Sequence, residues 1–488
     1  MENLLTSEEM RYFDAETIKS GTSELELIKR ASRSAKIEID KMCLGKNAKI
    51  LIVCGSGNNG ADGYSLAEDL NGEYCVDVFS VSEPKSEGAK YYFSRLNKTY
   101  NLQDFASYDL IVDAMLGTGF KGEVTGKYEE VINKINNSGA KVMAMDIASG
   151  LNADNGIAKT AVKADLTVSF GALKLGHFLA SGKDYSGKVV SYDVGIKTKS
   201  NRLLFTESDL LGYFPPKKQN IHKYVNGKVC IIGGSKNYVG APLLALQAEV
   251  SLRCGAGLST LVVPDSMKDA VKERILEQTL CVMPDIDGEM AYDEKELENA
   301  IHKAKAVVFG NGIGLGEDIK KILKHLLNKD INLLIDADGI TVLSQNLDLL
   351  KDKKAHVILT PHAMEFSRLT GKGVGEIESN PVYYSESFAK KYGVVVALKG
   401  ASSIVTDGEN TRIIGHGRSS ISKAGVGDTL AGIIGALLIR LDCFDAGVVG
   451  NGLLASCSSR LEEKYGVYSV IASDISKELP NVIKNYIG

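Results

Sequence analysis

One pattern constrains this chain more than any other: short apolar runs, each closed by a glycine- or acid-bearing loop, alternate with helical stretches. A run that is apolar at successive positions suits a strand of a parallel sheet buried on both faces. In the first half such runs are Lys49–Cys54, Val76–Val78, Leu110–Val112, Val142–Met145 and Leu166–Ser169. In the second half they are Lys228–Ile232, Leu258–Val263, Ala306–Phe309, Leu333–Ile335, Val357–Leu359 and Val394–Leu398. Helices are expected in the gaps, among them Tyr64–Leu70, Ala241–Cys254 and Leu430–Arg440. The pattern breaks around Lys197–Asn226. There polar KTKSN, the pair Pro215-Pro216 and basic KKQN stop both helix and strand and read as a linker. The expectation is an α/β protein of two domains, residues 1–212 and 213–488, without an internal repeat.

Composition narrows the class. The length of 488 residues fits two to four domains of roughly 100–200 residues each. Hydrophobic residues make up 44%, enough for sizeable cores. Lys and Arg number 57 against 61 Asp and Glu, a net charge of −4, which gives no ground for a nucleic-acid partner. Eight cysteines are scattered with no CxxC, and the expectation is free, buried thiols in a reducing compartment. The acidic, interrupted N-terminus MENLLTSEEMRYFD does not read as a signal peptide, and no run approaches the ~20 apolar residues of a membrane span. A cytoplasmic protein without a membrane partner is expected.

In the first half, AKILIVCGSGNNGADGYSLAEDL reads as strand, glycine-rich loop and helix start. Glycine permits close backbone approach and the helix N-terminus attracts anions, so a phosphorylated ligand is suggested. The spacing is not GxGxxG, and a dinucleotide fingerprint is weak on this evidence. Two further strands end in acids, Asp113 in YDLIVDAMLGTGFKG and Asp146 in KVMAMDIASGLN. Parallel strands present their carboxyl ends at one edge, so Asp113, Asp146 and the Asn58-Asn59 loop are expected to converge there. For either acid alone, a cap on the turn that follows stays open as the alternative.

CGSGNNGADG, DAMLGTGFKG, DIASGLNADNG and ADLTVSFGALKLG, in that order, resemble the NAD(P)H-hydrate epimerase domain over roughly residues 8–196. The resemblance implies a Rossmann-like three-layer sandwich. It implies potassium ligands at Asn59, Asp113 and Ser149. It implies one substrate segment at Asn58, Asn59, Gly60, Ala61 and Asp62. A second is implied at Gly117, Thr118, Gly119, Phe120, Lys121, Gly122 and Glu123. Asp146 is the implied acid–base residue and Lys121 the basic group that supports it, by orienting phosphate or lowering a carboxylate pKa. Epimerising a ring hydroxyl needs proton transfer by a positioned carboxylate, and a hard monovalent cation wants oxygen ligands. Ser56, Ala61 and Ala148 depart from the family pattern, and Ala61 is expected to resist a positive φ.

In the second half the strongest signal is AGVGDTLAGIIGALLIR, residues 424–440. Gly425 and Gly427 free the backbone ahead of an apolar helix, and Asp428 is expected at or near its N-cap. A plain cap is one reading. The other has the loop amides cradling a transferred phosphoryl group while Asp428 acts as base on the accepting hydroxyl. GxGD before a helix resembles the ribokinase-type superfamily. Four further segments, HKYVNGKVCIIGGSKNYVGAPLLALQAEVSLRCGAGLSTLVVP, VVFGNGIGLGE with LLIDADGITVL, LTPHAMEFSRLTG and VVVALKGASSIV, make the likeness narrower. Together they resemble the ADP-dependent NAD(P)H-hydrate dehydratase domain over about residues 220–480.

That resemblance implies contacts to hydrated NADH or NADPH from Ala241, Gly312, Gly314, His362 and Asp428. It implies nucleotide contacts from Lys399, Gly400, Ala401, Ser402, Ser403, Gly425 and Gly427, with ADP as co-substrate and Mg²⁺ beside it. Asp336, Asp338 and Glu365 are candidate indirect Mg²⁺ ligands, with turn caps as the open alternative, and His222 stays unassigned. Arg418, Lys423, Ala424, Val426 and Asn311 depart from the pattern. Val426 lacks a hydroxyl for phosphate, and Lys423 is expected to add charge near the anion hole. An enzyme of this type is expected to self-associate. Two other readings remain: a ribokinase-like kinase that leaves its phosphorylated product intact, and a nucleotide-sensing module in which Asp146 or Asp428 is dispensable.

Overall fold

The computed structural model describes residues 1–45, 47–96, 104–216, 219–246 and 248–487. They fall into two compact units, Glu2–Leu203 and Leu204–Gly488, the second also taking in Met1. The boundary expected at 212/213 lies inside the second unit.

The first unit carries a six-stranded parallel sheet in the order Cys75–Ser80, Lys49–Cys54, Leu110–Ala114, Lys141–Met145, Leu166–Phe170, Lys188–Tyr192. Alternation within the apolar runs explains its layers. Ile50, Ile52, Val112 and Met143 face helices Glu24–Lys41 and Asn58–Leu70, while Leu51, Val53, Ile111 and Val142 face helix Lys127–Asn136. The result is the expected three-layer, Rossmann-like sandwich. The chain starts this sheet at Lys49–Cys54, steps outward to Cys75–Ser80, and crosses back to Leu110–Ala114. That reversal opens a crevice at the carboxyl ends of the strands. A short parallel pair, Glu2–Leu5 with Leu173–Lys174, belongs to the same unit.

In the second unit the sheet runs Thr279–Met283, Leu258–Pro264, Lys228–Ile232, Ala304–Phe309, Asn332–Ile335, His356–Leu359, Val395–Leu398. These strands are parallel, and Ser403–Thr406 and Thr411–Ile414 continue the sheet antiparallel. Again the first strand is followed by outward strands and a return, so Lys228–Ile232 and Ala304–Phe309 flank a reversal.

The strands expected from the apolar runs are present within two residues at either end. Helix starts differ more. Helix Asn58–Leu70 begins directly after Gly57, and helix Val426–Leu437 begins after Gly425. Both first turns are rich in poor helix formers, but burial of Asn59, Gly60 and Ala61, and of Val426, Thr429 and Leu430, outweighs propensity. Ala61 therefore lies on a helix and is absent from the positive-φ residues, contrary to the strain expected of it. The single helix expected over Ala241–Cys254 is described as Gly240–Leu246 and Ala248–Arg253, with Gln247 outside the described residues, as are Lys217 and Lys218 of the expected linker. The eight cysteines are free, but Cys43 and Cys75 are exposed rather than buried. No helix among the described residues is long and apolar enough to cross a membrane.

Glycine sets how closely helix Val426–Leu437 packs. A Cβ on Gly432 would sit 2.1 Å from the Ala245 carbonyl oxygen, and one on Gly435 2.3 Å from a Val308 methyl. Gly432→Ala gains about 1 kcal/mol of helix propensity, but backbone overlap costs more, about 1–3 kcal/mol. Urea denaturation should show a net loss of stability; a gain would mean that the two helices are free to separate.

Candidate active sites

At the first unit's sheet reversal, two loops meet with no room for a side chain between them. A Cβ on Gly55 would lie 1.9 Å from the Met115 carbonyl oxygen, and one on Gly60 2.1 Å from that of Gly55. This close approach brings Asn59 beside the 113–116 segment, where its Nδ2 donates to the Leu116 carbonyl at 3.2 Å. Asp113 is fully buried. It accepts from the Ser149 N–H (2.7 Å), the Ser149 hydroxyl (2.6 Å) and the Met115 N–H (3.1 Å). Burial raises its pKa to about 6 against these bonds. Ser149 Oγ also accepts from the Leu116 N–H at 2.8 Å. Asn59, Asp113 and Ser149 thus converge on the 115–116 segment, and Asn59 Oδ1 is buried without a partner among the described residues. A buried carboxylate and an orphaned amide oxygen, with a peptide carbonyl alongside, are oxygen donors suited to a hard cation.

Asp146 follows the neighbouring strand with φ +65, a conformation rare outside glycine. Its N–H donates to Val168 O at 2.7 Å. Its carboxylate is ion-paired with the ammonium of Lys174, a fully buried lysine that also donates to Ser169 Oγ and Phe170 O, both at 3.0 Å. His177 closes the circuit. Its Nδ1 accepts from the Lys174 N–H at 3.2 Å, so Nε2 carries the proton toward the Asp146 carbonyl at 3.0 Å. Burial, then the Lys174 charge, push the His177 pKa down to about 4, which keeps the ring neutral. Asp146 is held through backbone and carboxylate together, which offsets the strain of its φ.

Two further acids share this field. Burial and then Asp146 raise Asp14 to about 6, and burial, Asp146 and Asp14 raise Asp62 well above the carboxylate range. Lys174, His177 and Asp14 were not selected from the sequence. Lys174 had a signal, a lysine inside the apolar run LTVSFGALKLG; Asp14, on an amphipathic N-terminal helix, had none. Of the remaining candidates, Gly60 is buried in the loop junction and Ala61 in the core, while the others lie on the rim. Asn58 Nδ2 donates to Glu24 at 2.7 Å, Lys121 pairs with Asp154 at 3.4 Å, and Glu123 pairs with Lys159 at 3.0 Å. The Gly117–Glu123 loop is largely open to solvent. The cation on Asp146 is therefore Lys174, while Lys121 stands on the exposed loop.

The second unit gathers its groups at the equivalent reversal. Gly234 N–H donates to the Asn311 carbonyl at 2.9 Å, tying the loop after Lys228–Ile232 to the loop after Ala304–Phe309. Asn311 is fully buried, and its Nδ2 donates to Asp428 Oδ1 at 2.8 Å and to Asp336 Oδ2 at 3.1 Å. Asp336 in turn accepts from Lys399 Nζ at 3.0 Å, and Glu365 lies 3.9 Å from that ammonium. Burial works against the Lys399 charge, but Asp336, Glu365 and Asp428 outweigh it and raise its pKa. The ammonium also stands 3.4 Å from where a Gly427 Cβ would be, so it overhangs the start of helix Val426–Leu437.

Asp428 is the third residue of that helix rather than its cap. Gly425, at φ +86, holds the N-cap position, and the carboxylate turns to Asn311. Burial, reinforced by Asp336 and Asp338, raises Asp428 to about 6 despite the Asn311 bond. Ala241 lies against Gly312, 3.2 Å from its virtual Cβ, and Gly314 N–H donates to Asp338 at 3.0 Å. His362 caps helix Ala363–Thr370 through Nδ1, and the Lys399 N–H bonds to neighbouring Pro361. Lys399, Gly400, Ala401 and Ser402 connect two strands, the second of which starts at Ser403, and the Ser402 hydroxyl is buried without a partner among the described residues. Three departures resolve. Val426 packs into the core, the Lys423 ammonium bonds to the Tyr468 carbonyl, and exposed Arg418 donates its N–H to Ser458 at 3.0 Å. Asn311, marked in the sequence only as a departure, is the bridge between Asp336 and Asp428.

A family model for NAD(P)H-hydrate dehydratase matches residues 229–481, and one for the YjeF-related protein N-terminus matches residues 24–176. The bifunctional NAD(P)H-hydrate repair enzyme of Archaeoglobus fulgidus is 32% identical over 487 residues, covering 98% of each chain. This chain belongs to the bifunctional NAD(P)H-hydrate repair enzyme family. The relative of that name from Hyperthermus butylicus is also 32% identical, over 99% of this chain and 93% of its own. Among solved structures, a ribokinase-like superfamily protein of Enterococcus faecalis aligns with TM-score 0.51 at 24% identity, over 60% of this chain and 98% of its own. The ADP/ATP-dependent NAD(P)H-hydrate dehydratase of Bacillus subtilis aligns with TM-score 0.50 at 24% identity, over 58% and 98%. The fold of the second unit is ribokinase-like.

Two titrations check the geometry. Imidazole ¹⁵N shifts should show His177 neutral and protonated at Nε2 down to about pH 4, and Lys174→Met should raise that titration by removing a nearby positive charge. Carboxyl ¹³C shifts should show Asp428 titrating near 6. In Asn311→Ala the midpoint should move up by about one unit or more, because a bond to the charged form is lost. An unmoved midpoint would remove Asn311 from the Asp428 environment.

Proposed function

We propose that this family member repairs hydrated nicotinamide cofactors. The first unit interconverts the R and S forms of NADHX and NADPHX. The second dehydrates the S form, converting ADP to AMP and phosphate. The observation that carries the reading is the pairing, at two sheet reversals, of an anchored Asp146 and a raised-pKa Asp428 with glycine loops suited to phosphate.

In the first unit Asp146, fixed by Lys174 and His177, takes or returns the proton of the ring hydroxyl. Asp62, whose carboxyl is pushed well above the usual range by burial and by Asp146 and Asp14, supplies the complementary acid. Asn59, Asp113 and Ser149 fit a potassium ion. That ion would steady the Asn59–Asp113 junction and the substrate segment Asn58–Asp62 beside it.

In the second unit Asp428 accepts the proton of the C6 hydroxyl as that oxygen attacks the β-phosphoryl group of ADP. The amides at Gly425–Gly427 and the overhanging Lys399 ammonium neutralise the transferring phosphoryl. The new phosphate ester then leaves as inorganic phosphate, expelled by the ring nitrogen lone pair, and loss of a proton from C5 of the resulting iminium restores the nicotinamide double bond. Asp336, Glu365 and Asp428 surround the Lys399 ammonium, and Asn311 Oδ1 is buried without a partner among the described residues; these are oxygen donors of the kind that would suit Mg²⁺ arriving with the nucleotide. Mg²⁺ would offset phosphate charge there. The free thiols suit a reducing, cytoplasmic setting.

Absorbance at 340 nm tests both steps at once, with mixed R and S NADHX, ADP, Mg²⁺ and K⁺. Wild type should restore all the NADH, and Asp428→Ala none. Asp146→Ala should restore the S fraction and then fall to the spontaneous epimerisation rate. The Asp428-dependent rate should be lost as pH falls through about 6, since the ionised carboxylate is the active form. No NADH from wild type, or a stable phosphorylated product, would refute the repair reading.

A further inference from the structure

A cavity of ≈ 510 Å³ opens beside the first unit's crevice, at the carboxyl end of the outer strand Cys75–Ser80. Its lining includes Ser80, Ser82, Glu83, Lys90, Phe93 and Lys127. The cavity is built onto both expected substrate segments. Lys85 N–H and Ser86 N–H donate to Ser56 O at 2.8 and 3.1 Å, which fastens its loop to the turn that precedes Asn58. Lys127 opens the helix that follows the Gly117–Glu123 loop, and the next residue, Tyr128, bonds Ser82 at 2.7 Å.

Charge and distance both suggest an occupant. Lys127 has no ion-pair partner among the described residues and rests over the Phe79 ring at 5.6 Å. Lys90 has only an exposed partner, Glu87, at 3.1 Å, an interaction worth little in water. Two ammonium groups and two serines thus border one open cavity, with a single exposed acid, Glu83, against them. The cavity lies three strand spacings from the strand that ends at Asp146, through Lys49–Cys54 and Leu110–Ala114. At roughly 4.8 Å each this is about 14 Å, the reach of an extended dinucleotide. With the damaged ring at Asp146 and the pyrophosphate over the start of helix Asn58–Leu70, the adenosine end falls at Cys75–Ser80. In doubly wound folds that edge reads the ribose 2′ position.

Resting on the repair reading, we propose that this cavity is the adenosine subsite of the epimerase unit. Lys127, assisted by Lys90, binds a ribose 2′-phosphate there and so favours NADPHX over NADHX. Glu83 opposes that preference.

The experiment uses the full chain and its Lys127→Ala, Lys90→Ala, Glu83→Gln and Lys134→Ala variants. Lys134 lies on the same helix, outside the cavity, and controls for net charge. Epimerisation of NADPHX and NADHX is followed alongside calorimetric titration with 2′-phospho-ADP-ribose and ADP-ribose. In Lys127→Ala the ratio of kcat/KM for NADPHX to that for NADHX should fall about tenfold, through KM rather than kcat, the effect of losing one charge-assisted contact. The affinity ratio of the two probes should fall in parallel. Lys90→Ala should do the same more weakly, and Glu83→Gln should raise both ratios. Equal losses on both substrates, no change, or the same change in Lys134→Ala would each overturn the subsite. A Lys127-dependent preference for the 2′-phosphorylated probe in a chain without epimerase activity would refute the repair reading and leave the subsite standing.

Discussion

Everything at the first site depends on how closely two peptide segments approach where the sheet reverses. Gly55 lies so near the Met115 carbonyl that even a methyl group would collide with it. Because the backbones touch, Asn59 on one loop reaches the Leu116 peptide of the other, and Asp113 and Ser149 close the same junction. The second unit solves the same problem with a different contact. Its two loops are joined by the Gly234–Asn311 backbone bond, and the Asn311 side chain then spans Asp336 and Asp428. In each case a sheet reversal creates the crevice, close backbone approach narrows it, and side chains from separate loops become neighbours.

Sequence made the strands and the acids that end them legible, because apolar runs and terminal Asp residues are local signals. Asp113 and Asp146 could be picked out on that basis, and Asp428 on the GxGD run ahead of a helix. Helix starts were harder to read. Runs such as GNNGADG and AGVGD argue against helix by propensity, and only tertiary burial of their first turns decides the matter. Asn311 and Lys423 show the same limit in opposite senses. In the sequence Asn311 is only a departure from the pattern, and Lys423 an added charge. In space one bridges two catalytic-site carboxylates, while the other is bonded to a distant carbonyl. Lys174 and His177 share one segment and Asp14 lies in another far from it in sequence, and no spacing rule relates either to Asp146.

Both sites hold more acid than base. Asp14, Asp62 and Asp146 share Lys174, and Asp336, Glu365 and Asp428 share Lys399. Buried like charges are expensive, and a fold can lower the cost by keeping protons or by admitting cations. Asp14 and Asp428 are raised to about 6 and Asp62 further, so the first course is taken in part. The orphaned oxygens of Asn59 and Asn311 leave room for the second.

This imbalance also separates the roles of chemically identical groups. Asp146 is tethered by the Lys174 side chain and a neutral imidazole, so its position is set before substrate arrives. Asp428 has an amide for its nearest partner, and Asn311 orients it without neutralising it. Its affinity for a proton therefore stays above that of an ordinary carboxylate, as the proposed base requires. Exchanging these surroundings would leave an immobile carboxylate where phosphoryl transfer needs a base, and a loosely held one where stereochemistry needs a fixed position. The two chemistries follow from what each sheet reversal places beside its aspartate, more than from the aspartates themselves.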